Sequence, residues 1–360
     1  MISTQSGVIF TLLAFVVQTS VQAQAPDVPI MRDRGDPAAS RLMQAANAAR
    51  EQGSLLSQEL VAEQMHRRHF PTPLSEPHSI PLHSRAIWER SRAAHVRVGF
   101  HYLCHRCDNW HQNFAGGFFI NAYGLVATCQ HVIDPGARSY REGYLIAAGD
   151  DGTFYPVLEV LASDGPTDVA ILRVAVDKPV PYLPLNMNVF PGDGAWLYSY
   201  PLRRAGYFSQ GIVNRFHYEE REGVEVARMA VTTDWAPGSS GSAIVDVYGN
   251  AVGMVSTITP LGTGRPQTRV HRQPGDDNAQ DFISDPTAII FRTAARAADV
   301  IALTQPGTQP HRTLVPVDAD PKPNDAPDLE LEQPEEKDPE PEEEKESEEE
   351  VESGSNNHAA

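Results

Sequence analysis

Cysteine is scarce in this chain: 360 residues contain three, Cys104, Cys107 and Cys129. A disulfide framework is therefore excluded as the main source of stability, and a buried core must supply it. With 41% apolar residues the chain can bury a full-sized core, and all-β folds commonly exceed 200 residues as one domain. Basic charge is also short, with 29 Lys and Arg against 47 Asp and Glu, a net −18. The deficit is local, because Val317 to Ala360 holds 18 acidic residues and three Lys, which leaves the other 316 residues at about −3. A nearly neutral body gives no electrostatic footprint for nucleic acid. A long apolar span is missing from the start of the chain as well: Val8 to Val17 is too short to cross a bilayer comfortably. That run is followed by Ala23-Gln24-Ala25, a small-x-small pattern. It reads as an export signal over residues 1–25 even though no Lys or Arg precedes Val8. The expectation is a periplasmic or secreted protein with no membrane attachment once the signal is removed.

Three regions follow. Residues 26–82 place Leu42, Ala45, Ala46 and Ala49, then Leu56, Leu60, Val61 and Met65, at helical spacing. This predicts two amphipathic helices broken near Gly53, offering a surface for a homo-oligomer. Pro71, Pro73, Pro77 and Pro81 then forbid regular structure and predict a Pro-rich linker or a strap lying over the surface. Residues 83–305 carry short β-rich runs separated by Gly, Pro, Asp and Asn, from HVRVGFHYL to TAIIFRT, the signature of a sandwich or barrel. An amphipathic helix, AARAADVIALTQ, closes the region. Residues 316–360 lose all apolar periodicity and are expected to be a disordered acidic extension that names no partner.

Chemistry concentrates in GGFFINAYGLVATCQHVID (116–134), PTDVAILRV (166–174) and APGSSGSAIVDVYGNAVGMVS (236–256). A serine hydroxyl becomes a useful nucleophile when an imidazole takes its proton and a buried carboxylate fixes the imidazole's tautomer and stabilises its charged form. Ser240, His131 and Asp168 supply these types in the order His, Asp, Ser. Asp134, Asp150 and Asp164 compete for the carboxylate position, and the alternating apolar run after Asp168 selects it. An acyl-transfer oxyanion also needs preorganised donors. Gly238 can turn its N–H toward the reacting centre beside that of Ser240, and Gly241 lets the chain leave without crowding the nucleophile.

GLVATCQHVID resembles the G-x-(I/V)-(L/V)-T-x-x-H-V segment of trypsin-like peptidases. APGSSGSAI resembles their PG-x-SG-(G/S)-(P/A) segment, and TDVAILRV their D-(L/V)-A-(I/L)-L element. The likeness runs from about Val96 to Leu303 and is closest to the bacterial HtrA type. It implies an all-β fold of two six-stranded antiparallel barrels with a C-terminal helix and the site in the cleft between barrels. By the same resemblance Ser256, Thr257 and Ile258 form the specificity-pocket wall. Asp234 has the offset of the floor aspartate that selects Lys or Arg, and the reading prefers it as a surface residue, because a branched Ile258 shortens the pocket. Small aliphatic residues before the cut are expected. Ser242 and Ala243 replace the usual glycine and proline, and Ser239 replaces the aspartate of zymogen-activated trypsins. The acidic extension stands where the HtrA type carries a PDZ domain.

His101, Cys104, Cys107 and His111 spell H-x2-C-x2-C-x3-H, ligand types that suit zinc. Strand geometry should scatter them, so a local disulfide or free thiols is the preferred reading, with no metal and no organic cofactor expected. No His follows Cys107 directly, which excludes the c-type haem pattern. Cys129 reads as small apolar packing beside His131. The function predicted is a serine endopeptidase acting on polypeptides through an acyl-enzyme. The alternative is a catalytically inactive module that keeps the barrels and holds extended peptides by strand addition.

Overall fold

The computed structural model describes residues 30–31, 36–136, 140–262 and 287–305. The expected signal and acidic extension lie outside the described residues. At the amino-terminal end, α1 (Ala39–Glu51) buries Leu42, Ala46 and Ala49, spaced as the sequence predicted, and the chain turns at Gly53 with φ +67°. A two-residue strand β1 (Leu56–Ser57) then leads into α2 (Gln58–Gln64), where the Ser57 hydroxyl caps the helix by accepting from Leu60 N. The apolar face of α1 does not face solvent. Ala38 and Leu42 pack with Ala148, and Ala49 with Ile146, beside Phe114 and Phe154. Of the apolar positions expected to offer a surface to a second copy, Leu42, Ala46 and Ala49 of α1 are covered within the chain, whereas Leu60 of α2 is exposed.

Of the two forms expected for the proline-rich stretch, the chain takes that of a strap, tied down at intervals. Phe70 N bonds Leu303 O at 2.8 Å, His78 N bonds Asn250 Oδ1 at 2.7 Å, and Leu82 N bonds Val247 O at 2.8 Å. One element was not foreseen: α3 (Ser84–Ala94) fills the stretch read as the start of the strands. Its buried positions, Ile87, Ser91 and Ala94, have helical spacing, but a serine and an alanine carry too little hydrophobic signal to show it.

Barrel one comprises β2 (His95–Cys104), β3 (Trp110–Phe119), β4 (Leu125–Thr128), the one-turn helix α4 (Gln130–Ile133), β5 (Tyr140–Gly149), β6 (Phe154–Asp164) and β7 (Val169–Val174). Its order β5-β2-β3-β4-β7-β6 closes through a β5–β6 pairing, and β1 extends β5 outside the ring. Barrel two follows with β8 (Gly194–Ser199), β9 (Tyr207–Arg221), β10 (Val224–Val231), β11 (Ala243–Val245), β12 (Ala251–Gly262) and β13 (Thr287–Arg296), closed in the order β10-β13-β12-β11-β8-β9. Every pairing between these strands is antiparallel. The fold is therefore the all-β double barrel expected, six strands in each ring. The last helix, α5 (Ala297–Ala302), is shorter than predicted because its first expected turn belongs to β13. The core of barrel one, around Val96, Val98, Phe118, Val126 and Ile171, continues into Ala243, Val245 and Met254 of barrel two. Among the described residues no helix is long and apolar enough to cross a membrane.

Candidate active site

Strand register brings His131 and Asp168 together. β4 pairs with β7 through Thr128↔Ala170, so the residue three beyond Thr128 and the residue two before Ala170 emerge at the same rim. Asp168 sits there with φ +60°, a left-handed conformation costing a side-chain-bearing residue about 1–3 kcal/mol. The turn that enforces it is braced by Asp164, whose Oδ2 accepts from Thr167 Oγ1 at 2.7 Å and Thr167 N at 3.1 Å. Asp164, a rival for the carboxylate role in the sequence, holds the turn. Asp134 instead accepts from Gly136 N at 2.8 Å.

The His131 Nδ1 stands 2.9 Å from both carboxylate oxygens of Asp168, and His131 N donates to Oδ1 at 3.1 Å. The Ser256 hydroxyl donates to Oδ2 at 2.5 Å. Burial by itself pushes the Asp168 carboxyl up, but these hydrogen bonds and the imidazole outweigh it and hold the group below its ordinary value. Asp168 is thus anionic and oriented, and His131 keeps half its ring in solvent.

Ser256 occupies a bulge: Val255 pairs with Ala294 and Thr257 with Thr293, leaving the intervening residue unpaired. A bulge re-aims one side chain, and here it turns the hydroxyl inward onto Asp168 rather than into the pocket wall expected of it. Behind it lies Arg228, fully buried, with Nη2 on Ser256 Oγ at 2.5 Å and Nη1 on Thr167 O at 2.7 Å. Desolvation lowers the Arg228 pKa from its high ordinary value. Arg228 does not stand out in the sequence, where its one signal is an arginine amid the apolar run VARMAV.

Ser240 follows a tight turn. Ser239 N bonds Ala236 O at 3.1 Å around Pro237 and Gly238, and Gly238 has φ +101°. Proline second and a positive-φ glycine third make a type II turn. A Cβ on Gly238 would lie 2.8 Å from Tyr200 O. The turn is fixed by Leu202 N on Pro237 O at 2.8 Å. Beyond it, Ser240 O accepts from Gly116 N at 2.7 Å, and Gly241 N donates to Val255 O at 2.8 Å, so the loop is clamped between the barrels. Among the described residues the amides of Gly238 and Ser240 have no acceptor, and no hydrogen bond joins Ser240 Oγ to His131. Contacts between a nucleophile and its base are often long without substrate. Ser239 is fully buried and meets Ser199 Oγ at 3.1 Å, so a neutral hydroxyl pair fills the place where the zymogen aspartate is absent.

Ser242, noted as a departure in the sequence, also has a partner. Its Oγ lies 3.4 Å from His95 Nε2, and His95 Nδ1 lies 2.9 Å from Asp150 Oδ1. Burial disfavours ionised Asp150, but His95, with the Tyr198 and Tyr200 hydroxyls, overcomes this and lowers its pKa. The third rival aspartate therefore belongs to a buried support two residues beyond Ser240. The expected pocket residues are spread out. Ile258 is partly exposed on β12, Thr257 pairs with Thr293, and Asp234 lies at the surface with its carboxylate 2.7 Å from Arg292 Nη2. Cys129 is buried, donates to Val255 O at 3.0 Å, and its thiol pKa is raised by desolvation and by Asp168, so it stays protonated beside His131.

The barrels and this rim belong to a recognisable class: residues 115–254 match the trypsin-like peptidase domain. Over those residues, which run from β3 into β12, the chain is similar to trypsin-like peptidases. A probable periplasmic serine endoprotease, DegP-like, from Bartonella henselae is 28% identical over 152 residues, 41% of this chain and 29% of that protein. An uncharacterised protein of Sinorhizobium fredii, y4bJ, is 28% identical over 145 residues, covering 39% of this chain and 21% of that one. The chain thus spans less than a third of the length of either relative.

Proposed function

We propose that this protein is a serine endopeptidase in which Ser240 attacks the scissile carbonyl. His131 takes the hydroxyl proton and returns it to the leaving amine, while Asp168 fixes the ring so that Nε2 faces the nucleophile. The amides of Gly238 and Ser240 stabilise the oxyanion of the tetrahedral intermediate. Water then hydrolyses the acyl-enzyme with His131 as base. The observation that carries this reading is the 2.9 Å approach of His131 Nδ1 to both oxygens of a buried, anionic Asp168. No step calls on a metal or an organic cofactor. Export to the periplasm or beyond is part of the proposal, in keeping with the amino-terminal pattern and with the periplasmic location named for the Bartonella relative.

A fluorophosphonate probe is expected to label the wild-type chain and to leave Ser240→Ala unlabelled. Equal labelling of the two, or none in either, overturns the assignment. For specificity, Asp234 is neutralised by Arg292 at the surface, which supports a pocket without a charge-selecting floor. Peptides with Val or Ala before the cut are expected to be hydrolysed faster than those with Arg. An Arg preference that disappears in Asp234→Ala would reverse this.

A further inference from the structure

The β2–β3 hairpin ends in a turn that holds three metal-ligating side chains and is not used by the peptidase chemistry. Cys104 closes β2, Cys107 lies in the turn, and His111 is the second residue of β3. One donor atom from each lies within 4.8 Å of the other two, with Cys107 Sγ 3.0 Å from His111 Nε2. Tetrahedral zinc, with bonds of about 2.3 Å to sulfur and 2.0 Å to nitrogen, separates its ligand atoms by about 3.5–3.8 Å. The three donors therefore need only small side-chain adjustments to surround one ion. From this convergence we propose that Cys104, Cys107 and His111 bind a zinc-class divalent ion, leaving its fourth position to water or an external ligand.

The strand register explains why the set has three members and not the four spelled in the sequence. Tyr102 pairs with His111 and His101 with Gln112, so His101 points to the opposite face from His111. There its ring stacks on Trp110 at 4.6 Å and its Nε2 lies 3.0 Å from Asn47 Oδ1. Burial drives the His101 pKa down to about 4, which keeps it neutral in the packing against α1. Strand geometry does scatter the motif, but it removes His101 alone.

The turn also directs a backbone amide at one of the sulfurs: Arg106 N donates to Cys104 Sγ at 3.3 Å. The backbone bends sharply enough to do so because Asp108 adopts φ +53° and Cys104 N closes the turn on Asn109 O at 3.0 Å. Asp108 is engaged by Arg141 rather than by the cluster. The His111 ring is oriented by stacking on Tyr102 at 5.6 Å, which leaves Nε2 facing Cys107. Neither thiol is joined in a disulfide. Binding displaces a proton from each cysteine that is still a thiol, so the affinity rises with pH.

The test uses the full chain, purified under reducing conditions and stripped of metal, and titrated with Co2+. One equivalent is expected to bind with a thiolate-to-cobalt charge-transfer band, which Zn2+ then bleaches. Cys107→Ser and His111→Ala are each expected to weaken binding at least tenfold, whereas His101→Ala leaves stoichiometry and affinity unchanged. On the wild type, thiol-reactive disulfide reagent should modify Cys104 and Cys107 without zinc and neither with zinc; Cys129 is buried throughout. The proposal fails if no charge-transfer band appears, if His101→Ala weakens binding as much as His111→Ala, or if the protein purified without reductant carries a Cys104–Cys107 disulfide. Ser240→Ala should bind the metal like the wild type, which separates this site from the peptidase reading.

Discussion

At the scale of single residues the site depends on side chains behind the reacting ones. Asp168 is held by Ser256, and Ser256 by a fully buried Arg228 that also grips the carbonyl of Thr167. Removing one partner of a buried, hydrogen-bonded charge cluster typically costs about 3–5 kcal/mol, because the remaining polar groups are stranded. Arg228→Met is therefore expected to lower the unfolding free energy by roughly that amount in denaturant titrations. Ser256→Ala removes one hydrogen bond to a carboxylate, worth about 1.5–3 kcal/mol, and should lower kcat with KM little changed if the peptidase reading holds. The mechanism predicts that fluorophosphonate labelling slows in both variants while Ser240 still reacts. A fall in KM effects alone would contradict it.

At the scale of elements, the nucleophile loop is positioned by close backbone approach between barrels. Gly116 N reaches Ser240 O, and Thr128 Oγ1 donates to Gly116 O at 2.7 Å. A Cβ on Gly116 would lie 2.0 Å from Ser242 Oγ and 2.7 Å from Ser242 N, so the loop would have to move. Gly116→Ala should cost about 1–3 kcal/mol in stability, the usual range for overpacking. The same change should abolish most fluorophosphonate labelling by displacing Ser240; full labelling at wild-type rate would show that the clamp does not set the nucleophile's position. The sequence made the loop's glycines legible through the chemistry of the oxyanion. The partner of Gly116 was not, since a contact between residues more than a hundred positions apart leaves no periodic trace.

At the scale of the whole molecule, the amino-terminal helices and strap are part of the folded body rather than an appendage. Leu42, Leu56 and Val61 are buried against or within barrel one, and each such side chain contributes about 1.5–3 kcal/mol. The strap adds hydrogen bonds at Phe70, His78 and Leu82. Deleting residues 1–82 should accordingly lower Tm by well over ten degrees or leave the barrels insoluble, as read by thermal unfolding and size-exclusion chromatography. A truncated chain of undiminished Tm would mark the segment as a removable propeptide.

The sequence by itself determined the fold class, because twelve short β-rich runs with turn residues between them admit few packings and three motifs resembled one peptidase family. It also selected His131, Asp168 and Ser240 as candidates and assigned the buried face of α1, whereas of the second helix expected Leu56 lies in β1 and Leu60 is exposed. What the tertiary structure decided was partnership. Asp150, Asp164 and Asp168 are equivalent as letters, yet they support His95, brace a turn and orient His131 respectively. Ser256 left the expected pocket wall because a bulge turned it inward. His101 left its cysteine motif because alternate residues of a strand face opposite sides. Such outcomes depend on register and closure, which pair residues far apart in the chain and so cannot be read from local pattern.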